Sequence, residues 1–332
     1  MQRNPQKVME LLSGYQKTAA LKAAIDLKLF THLGPGGASS QLLAERTQTS
    51  EKGVRILADY FVVEGLLEKV DSVYKNTPTA AAFLDEASPA YMGGMTGFLA
   101  APGIKAQFDA LTEAVKKGGV AASAEGSTAE SYGGWIDFAE SMEAMMGPAA
   151  AQMAAILCKG RSGPLAVLDV AASHGLFGFS IAKHNPEAQI TALDWANVLD
   201  ITRANAVRWG LADRVRYVAG DAFRVDLEGP YDIILLTNLL HHFDEAGCVA
   251  LATRLRAALK PGGVVATLEF VPNEDRVSPP APAQFALVML ASTPNGDAYT
   301  FAQYQRMFGQ AGFASTEMIA LENTPEVLLL SR

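Results

Sequence analysis

The chain has 332 residues, enough for two domains with well-buried cores, and 49% hydrophobic against 19% charged residues is the balance of a folded soluble protein, not a disordered one. A formal net charge of −8 with no basic stripe excludes a nucleic-acid footprint, and no apolar run approaches the ~18 residues that cross a bilayer. Cys158 and Cys248 make no disulfide framework, no C-x-x-C or His cluster suggests zinc, and the polar start Met1–Lys7 lacks the apolar run of a secretion signal, so a reducing cytoplasm is the expected compartment.

In chain order, Pro5 to Phe30 carries apolar residues at helical spacing (Val8, Leu11, Leu12, Tyr15, Ala19, Leu21, Ile25, Leu29) and stops at Gly34-Pro35-Gly36-Gly37. A short helix follows Ser39-Ser40, and a second runs from a Ser50 cap to Gly65. Leu66–Val70 and Val73–Lys75 flank Asp71-Ser72 as a small hairpin. Helix, turn, helix and hairpin outline a winged helix. Its second helix offers only Lys52 and Arg55 against Glu51, Asp59 and Glu64, which favours a protein–protein role over DNA binding. Pro78 and Pro89 stand after Thr77 and Ser88, where a first helical turn tolerates proline. From Tyr91 to Ile156 the composition shifts to Ala, Gly and Met, with helices expected between breaks at Gly118-Gly119 and Gly133-Gly134. Trp135, Met142 and Met146 stand out there as candidates to line an apolar pocket, with ordinary core packing as the alternative.

From Gly163 onward strands and helices alternate. The apolar run Ala166–Leu168 ends at Asp169, passes through the small residues Ala171, Ala172, Ser173 and Gly175, and enters an amphipathic segment, Leu176–Lys183. Strand, tight turn and helix form the first unit of a nucleotide-binding sheet, because small side chains let the backbone approach a ligand. G-x-G-x-x-G is absent and the loop has no Lys or Arg, which suits a nucleoside without phosphates. A second strand, Ala188–Asp194, ends in an acid where such folds hold a ribose diol. A helix over Ala196–Trp209 and strands at Val215–Val218 and Tyr231–Leu236 follow, the last delivering Thr237 and His241-His242-Phe243-Asp244. A helix to Lys260, the turn Pro261-Gly262-Gly263 and the run Val264–Phe270 make a fifth unit; a helix over Phe301–Gly309 and strand-like runs Thr316–Leu321 and Val327–Leu330 close the chain. Such alternation means a parallel sheet covered by helices, with ligands at the carboxyl ends of strands, just where Asp169, Asp194, Asp221 and His241 fall.

These residues, in this order and spacing, resemble the class I S-adenosylmethionine-dependent methyltransferases. More narrowly, the chain is similar to the O-methyltransferases that dimerise through an N-terminal winged helix, the family of plant caffeate and flavonoid enzymes and bacterial natural-product enzymes. The match rests on the N-terminal helices, the loop Leu168–Gly175, Leu193-Asp194-Trp195, Gly220-Asp221-Ala222-Phe223, Leu240–Asp244 and Lys260-Pro-Gly-Gly263. The resemblance implies an α/β fold, a Rossmann-like, mostly parallel sheet preceded by an all-α winged-helix dimerisation domain. It divides the chain into a dimerisation domain (1–100), connecting helices that contribute to the acceptor pocket (101–160) and the cofactor domain (161–332). It implies a homodimer, a small-molecule acceptor, and S-adenosylmethionine as cofactor, with S-adenosylhomocysteine as product and no metal.

By the same resemblance the Ala171–Gly175 loop meets the methionine part of the cofactor, Asp194 accepts both ribose hydroxyls, and Asp221 takes the adenine amino group with Ala222 or Phe223 against the ring; Asp169, Ser173, Trp195 and Thr237 complete the expected cofactor contacts. An ionised carboxylate only accepts, so one Asp can hold a cis-diol. Each acid could equally cap the following helix. His241 takes the position of the general base, and His242 stands where the family pattern His-Asp-Trp has Asp. The acid that orients the base in the plant enzymes falls near Ala298, so Asp297 is the expected partner of His241. Tyr15, Trp135, Met142, Met146, His242, Phe285 and Met289 are the expected acceptor contacts, with Tyr15 approaching the neighbouring subunit's pocket. The acceptor is expected to present a hydroxyl on a small aromatic or quinone-like molecule. The rival readings are a thiol or carbon acceptor at the same cofactor site, and a winged-helix regulator or scaffold that retains a cofactor pocket.

Overall fold

The structure is a computed structural model in which residues 4–332 are described. The chain divides into two compact units, Met1–Ala100 and Ala101–Arg332.

The first unit begins with α1 (Gln6–Leu12), α2 (Gly14–Asp26) and α3 (Leu29–Leu33), so the expected single helix is cut twice. Ser13 Oγ donates to the Met9 carbonyl at the first break, and Lys28 adopts φ 50° at the second, which no helix continues through. There follow β1 (Ala38–Ser39), α4 (Ser40–Thr47), α5 (Glu51–Val63), β2 (Leu67–Val70), β3 (Val73–Asn76), α6 (Pro78–Phe83) and α7 (Thr96–Leu99). Ser39, Ser50 and Thr77 each accept a backbone N–H of the first turn of α4, α5 and α6, the hydroxyl caps that fix where those helices start. The wing is a three-stranded antiparallel sheet in the order β1-β3-β2, so the unit is not wholly helical. Leu29, Phe30, Leu33, Leu43, Val54, Phe61 and Tyr74 form its core. Pro78 opens α6, whereas Pro89 lies in a turn: Ser88 Oγ donates to Ala82 O and Met92 N to Phe83 O, folding the chain back over the end of α6.

The second unit opens with α8 (Pro102–Asp109), α9 (Leu111–Lys117), α10 (Gly134–Ser141) and α11 (Glu143–Cys158). Then β4 (Leu165–Val170), α12 (Leu176–His184), β5 (Ala188–Asp194), α13 (Ala196–Arg208), β6 (Val215–Ala219), β7 (Tyr231–Thr237), α14 (Glu245–Ala257), β8 (Leu259–Glu269), α15 (Pro280–Ser292), α16 (Phe301–Gln310), β9 (Thr316–Ala320) and β10 (Val327–Ser331) complete the chain. The Lys260-Pro-Gly-Gly263 turn is drawn into β8, which begins beside Tyr231 and is irregular there. The sheet order is β6-β5-β4-β7-β8-β10-β9; the first five strands are parallel, and β10 and β9 run antiparallel at one edge. β4 has β5 on one side and β7 on the other, so the strand order reverses there, and the crevice beyond its carboxyl end is where an open α/β sheet receives ligands. One face of the sheet packs on α14 and α16 through Leu251, Leu255, Tyr304, Met307 and Phe308. No described helix is long and apolar enough to cross a membrane.

Candidate active site

The loop after β4 is built from alternating left-handed residues: Ala171 (φ 54°), Ser173 (φ 52°) and Gly175 (φ 79°). Only the last is glycine, so two side-chain-bearing residues hold a conformation that costs about 1–2 kcal/mol each. Partners on every side impose it. Thr202 Oγ1 donates to Ser173 O at 2.5 Å, Asn205 Nδ2 to His174 O at 3.0 Å, and Ala172 N to Leu193 O at 3.1 Å. A Cβ on Gly175 would lie 2.3 Å from the Phe179 ring, and one on Gly178 2.9 Å from Asp169 Oδ2.

Two carboxylates meet this loop. Asp194 Oδ2 accepts from Ser173 N at 2.8 Å and Oδ1 from Trp195 N at 2.7 Å. Asp169 Oδ2 accepts from Gly178 N at 2.9 Å, while its Oδ1 is buried without a hydrogen-bond partner, as is Ser173 Oγ. Burial pushes Asp194 up to about 6, against two backbone hydrogen bonds that oppose it. Burial, aided by the charge of Asp194, pushes Asp169 up to about 7. Burial also holds His174 down at about 4. Both acids bind protons more tightly folded than unfolded, where a carboxyl titrates near ~4. Their contribution to stability is therefore present below that value and lost as pH rises through 6 to 7. The melting temperature of the ligand-free protein is expected to fall between pH 5 and pH 8, and Asp169→Asn to flatten the slope by an amount on the order of 2–4 kcal/mol, read by calorimetry.

Asp221, two residues beyond β6, accepts from Phe223 N at 2.8 Å and pairs at the surface with Arg224 at 3.3 Å. Gly220 N donates to Asp194 O, which keeps this turn beside the end of β5. Ala222 and Phe223 pack against the core, and the Phe223 ring meets Phe243 edge-on at 4.9 Å. Trp195, in extended conformation, is the N-cap residue of α13, and Thr237, buried, ends β7.

Beyond β7 a single 3₁₀ turn, Leu240–His242, buries both histidines. His241 Nδ1 lies 2.5 Å from Glu269 Oε2, and Glu269 Oε1 accepts from Leu239 N (3.2 Å) and Leu240 N (2.8 Å). Glu269 is the last residue of β8 and fully buried. The expected partner, Asp297, is not there. Asp297 is 39% exposed and paired with Arg276 at 2.9 Å, while Gly296 runs so close to His241 that a Cβ would lie 2.1 Å from its carbonyl oxygen. Close backbone packing sends the Asp297 side chain outward, and the carboxylate on His241 is that of Glu269. One signal for Glu269 stood in the sequence: a lone carboxylate closing an otherwise apolar run, Val264–Phe270.

His241 Nε2 lies 3.1 Å from His242 Nε2, and His242 Nδ1 2.9 Å from Ser127 Oγ, a residue the sequence reading did not single out. The Trp135 ring meets His242 edge-on at 5.1 Å, with Nε1 donating to Ser127 O at 3.0 Å. Phe285 meets His241 edge-on at 4.8 Å and stacks on Phe270. Met146 Sδ lies 3.5 Å from Asn238 Nδ2. Met142, at the start of α11, and Met289, in α15, are buried. Tyr15 belongs to the first compact unit, where it is 71% exposed.

The strand-order reversal is thus lined by acids, and a carboxylate-backed histidine with aromatic neighbours follows the adjoining strand β7. A sequence model of the O-methyltransferase domain matches residues 149–314, and one of the O-methyltransferase dimerisation domain matches residues 9–86. The chain belongs to the O-methyltransferase family. It is similar over 99% of its length to the crystal structure of a candidate O-methyltransferase from Nostoc punctiforme, at 44% identity, 99% coverage of that chain and a TM-score of 0.96. It is also similar to the tetracenomycin polyketide synthesis 8-O-methyltransferase TcmO of Streptomyces glaucescens, at 27% identity over 99% of this chain and 97% of the other. The 3-hydroxy-5-methyl-1-naphthoate 3-O-methyltransferase of Streptomyces sahachiroi is 29% identical over 95% of this chain and 91% of its own.

Proposed function

We propose that this enzyme methylates a hydroxyl group of a small aromatic or quinone-like metabolite, with His241 as general base. The observation that carries the reading is the buried Glu269–His241 pair, with the Phe285 ring edge-on to His241 and itself stacked on Phe270, and Trp135 edge-on to the adjoining His242. A carboxylate on Nδ1 fixes the ring and leaves Nε2 as the proton acceptor, and it stabilises the imidazolium that forms. Flat apolar walls fit a flat apolar acceptor. The names of the Streptomyces relatives, a polyketide and a naphthoate enzyme, agree with an aromatic acceptor.

S-adenosylmethionine supplies a methyl group on a cationic sulfur. The residues present suit it: the unpartnered Asp169 Oδ1 and Ser173 Oγ face the polar requirements of its methionine part along Ala171–Gly175, and Asp194 offers acceptor oxygens for the ribose diol. Asp221 takes the adenine amino group, with Ala222, Phe223 and Trp195 about the ring and Thr237 nearby. Trp135, Met142, Met146, Phe285 and Met289 hold the acceptor in line. Transfer of a labelled methyl group to panels of phenols, thiols and enols tests the reading; label on the phenols alone is expected, and label on thiols that survives His241→Ala overturns it.

The first unit serves as the dimerisation domain of a cytoplasmic homodimer. Its α1 and α2 leave Val8, Met9, Leu11, Leu12 and Tyr15 exposed, an apolar stripe that a second copy would cover and that would bring Tyr15 toward the neighbouring acceptor. Leu11→Asp with Leu12→Asp is expected to convert the dimer to monomers in sedimentation, with the circular dichroism of the fold retained.

A further inference from the structure

Four buried side chains form an unbroken line: Glu269 Oε2 to His241 Nδ1, His241 Nε2 to His242 Nε2, and His242 Nδ1 to Ser127 Oγ, at 2.5, 3.1 and 2.9 Å. Glu269 already accepts from two backbone N–H groups, and its Oε2 accepts the hydrogen of His241 Nδ1. A neutral His241 with hydrogen on Nδ1 has a lone pair on Nε2. One hydrogen lies between two imidazole nitrogens, so His242 carries it on Nε2, and its own Nδ1 accepts from the Ser127 hydroxyl. The rings hold opposite tautomers, and neither has a lone pair to spare.

The line takes up one further proton without losing a bond. Every hydrogen bond beyond Glu269 then reverses: His241 Nε2 donates to His242, and His242 Nδ1 donates to Ser127. Burial and the neighbouring His241 hold the pKa of His242 well below the ordinary range, so the charge rests on the ring that touches Glu269. Glu326, buried and bonded to Thr324, is a further carboxylate within electrostatic reach of His241; α10 and α15 present the pair with the rings of Trp135 and Phe285. The serine is fixed as firmly as the histidines. Trp135 Nε1 holds its carbonyl, and a Cβ on Gly126 would lie 2.1 Å from Ser292 O.

We propose that His242 is a positioning residue that acts through His241 as a proton relay, an inference that rests on His241 being the base. The acceptor's proton enters at the Ser127 hydroxyl, Ser127 passes its hydrogen to His242 Nδ1, and His242 passes its Nε2 hydrogen to His241. The electron pair of the broken O–H bond stays on the acceptor oxygen, where the methyl group joins it, and the proton ends on His241 against Glu269. An aspartate in place of His242 would have no hydrogen to give Nε2, so the relay belongs to the paired histidines of this chain.

Histidine-selective ¹⁵N NMR of the S-adenosylhomocysteine complex reads the line without an acceptor, and with only five histidines in the chain the signals are assignable by substitution. At pH 8 His241 is expected with hydrogen on Nδ1 and His242 with hydrogen on Nε2. His242→Gln keeps an N–H for His241 but passes no proton on, and is expected to lower methyl transfer to a naphthol about 10²-fold while S-adenosylhomocysteine binds as before. Two rings in the same tautomer, or full turnover in His242→Gln, overturns the relay. Full turnover in His241→Ala overturns the base assignment beneath it.

Discussion

Replacing His241 with alanine is expected to lower kcat for methyl transfer by about 10²–10⁴-fold, the range for loss of a positioned general base. The ring sits between a carboxylate and a second histidine, so its removal takes away the proton acceptor and strands Glu269 Oε2, buried, without a donor. Affinity for S-adenosylhomocysteine should change little, because the acids of the cofactor loop lie at the ends of other strands. Glu269→Gln should cost about 10- to 10²-fold, the equivalent of one hydrogen bond to a charged group. Its amide can still accept from Leu239 and Leu240 but cannot stabilise the imidazolium. Asp297→Asn should leave turnover and its pH profile as they are, since Asp297 is bound to Arg276 at the surface. A wild-type rate in His241→Ala across pH 6 to 9, for a phenol acceptor, would show that the proton leaves by another route.

The second large effect is expected at Asp194. Asp194→Ala should weaken S-adenosylhomocysteine binding at least ~10²-fold in a calorimetric titration, because two charge-assisted hydrogen bonds of about 1.5–3 kcal/mol each are lost. The same carboxylate accepts from Ser173 N and Trp195 N, so alanine also leaves two backbone donors unmet and loosens the left-handed turn they belong to. Asp194→Asn separates the two causes. The amide keeps one acceptor oxygen and nearly the same volume, so a variant that melts like wild type yet binds poorly assigns the loss to the ligand. Tight binding in both variants would remove Asp194 as the ribose anchor. Protonation acts the same way: with Asp194 at about 6, binding should weaken as pH falls through that value.

Most of the second unit was legible because its physics is local. A buried parallel strand is an apolar run, a strand end is an acid or a small residue, and each helix after it has its own start signal. Asp169, Asp194 and Asp221 were singled out by position along such runs, and each stands at or just past the carboxyl end of a strand. In the first unit Ser39, Ser50 and Thr77 announced their helices, because a cap is a contact between residues three apart. The polar line through His241 was not legible for the opposite reason. Ser127 meets His242 across 115 residues and Glu269 meets His241 across 28, contacts that exist only once β8 lies beside β7 and the turn of Gly126 lies against α15. Asp297 was expected because the resemblance places the orienting acid near Ala298; the neighbouring Gly296 does pack on His241, but Asp297 points outward to Arg276.

Gly119, Gly126 and Gly296 each press against a backbone carbonyl, of Pro294, Ser292 and His241, at 2.1 Å from where a Cβ would stand. For anyone redirecting this enzyme toward new acceptors, these three positions partition the design space. Saturation libraries at Trp135, Met142 and Phe285, the side chains proposed to hold the acceptor, vary that lining while the glycines keep the serine loop, the end of α15 and the histidine turn in mutual registry. Any recombination crossover placed between residues 126 and 292 exchanges one side of that seam without the other, and chimeras cut there should be the ones that express yet fail to turn over.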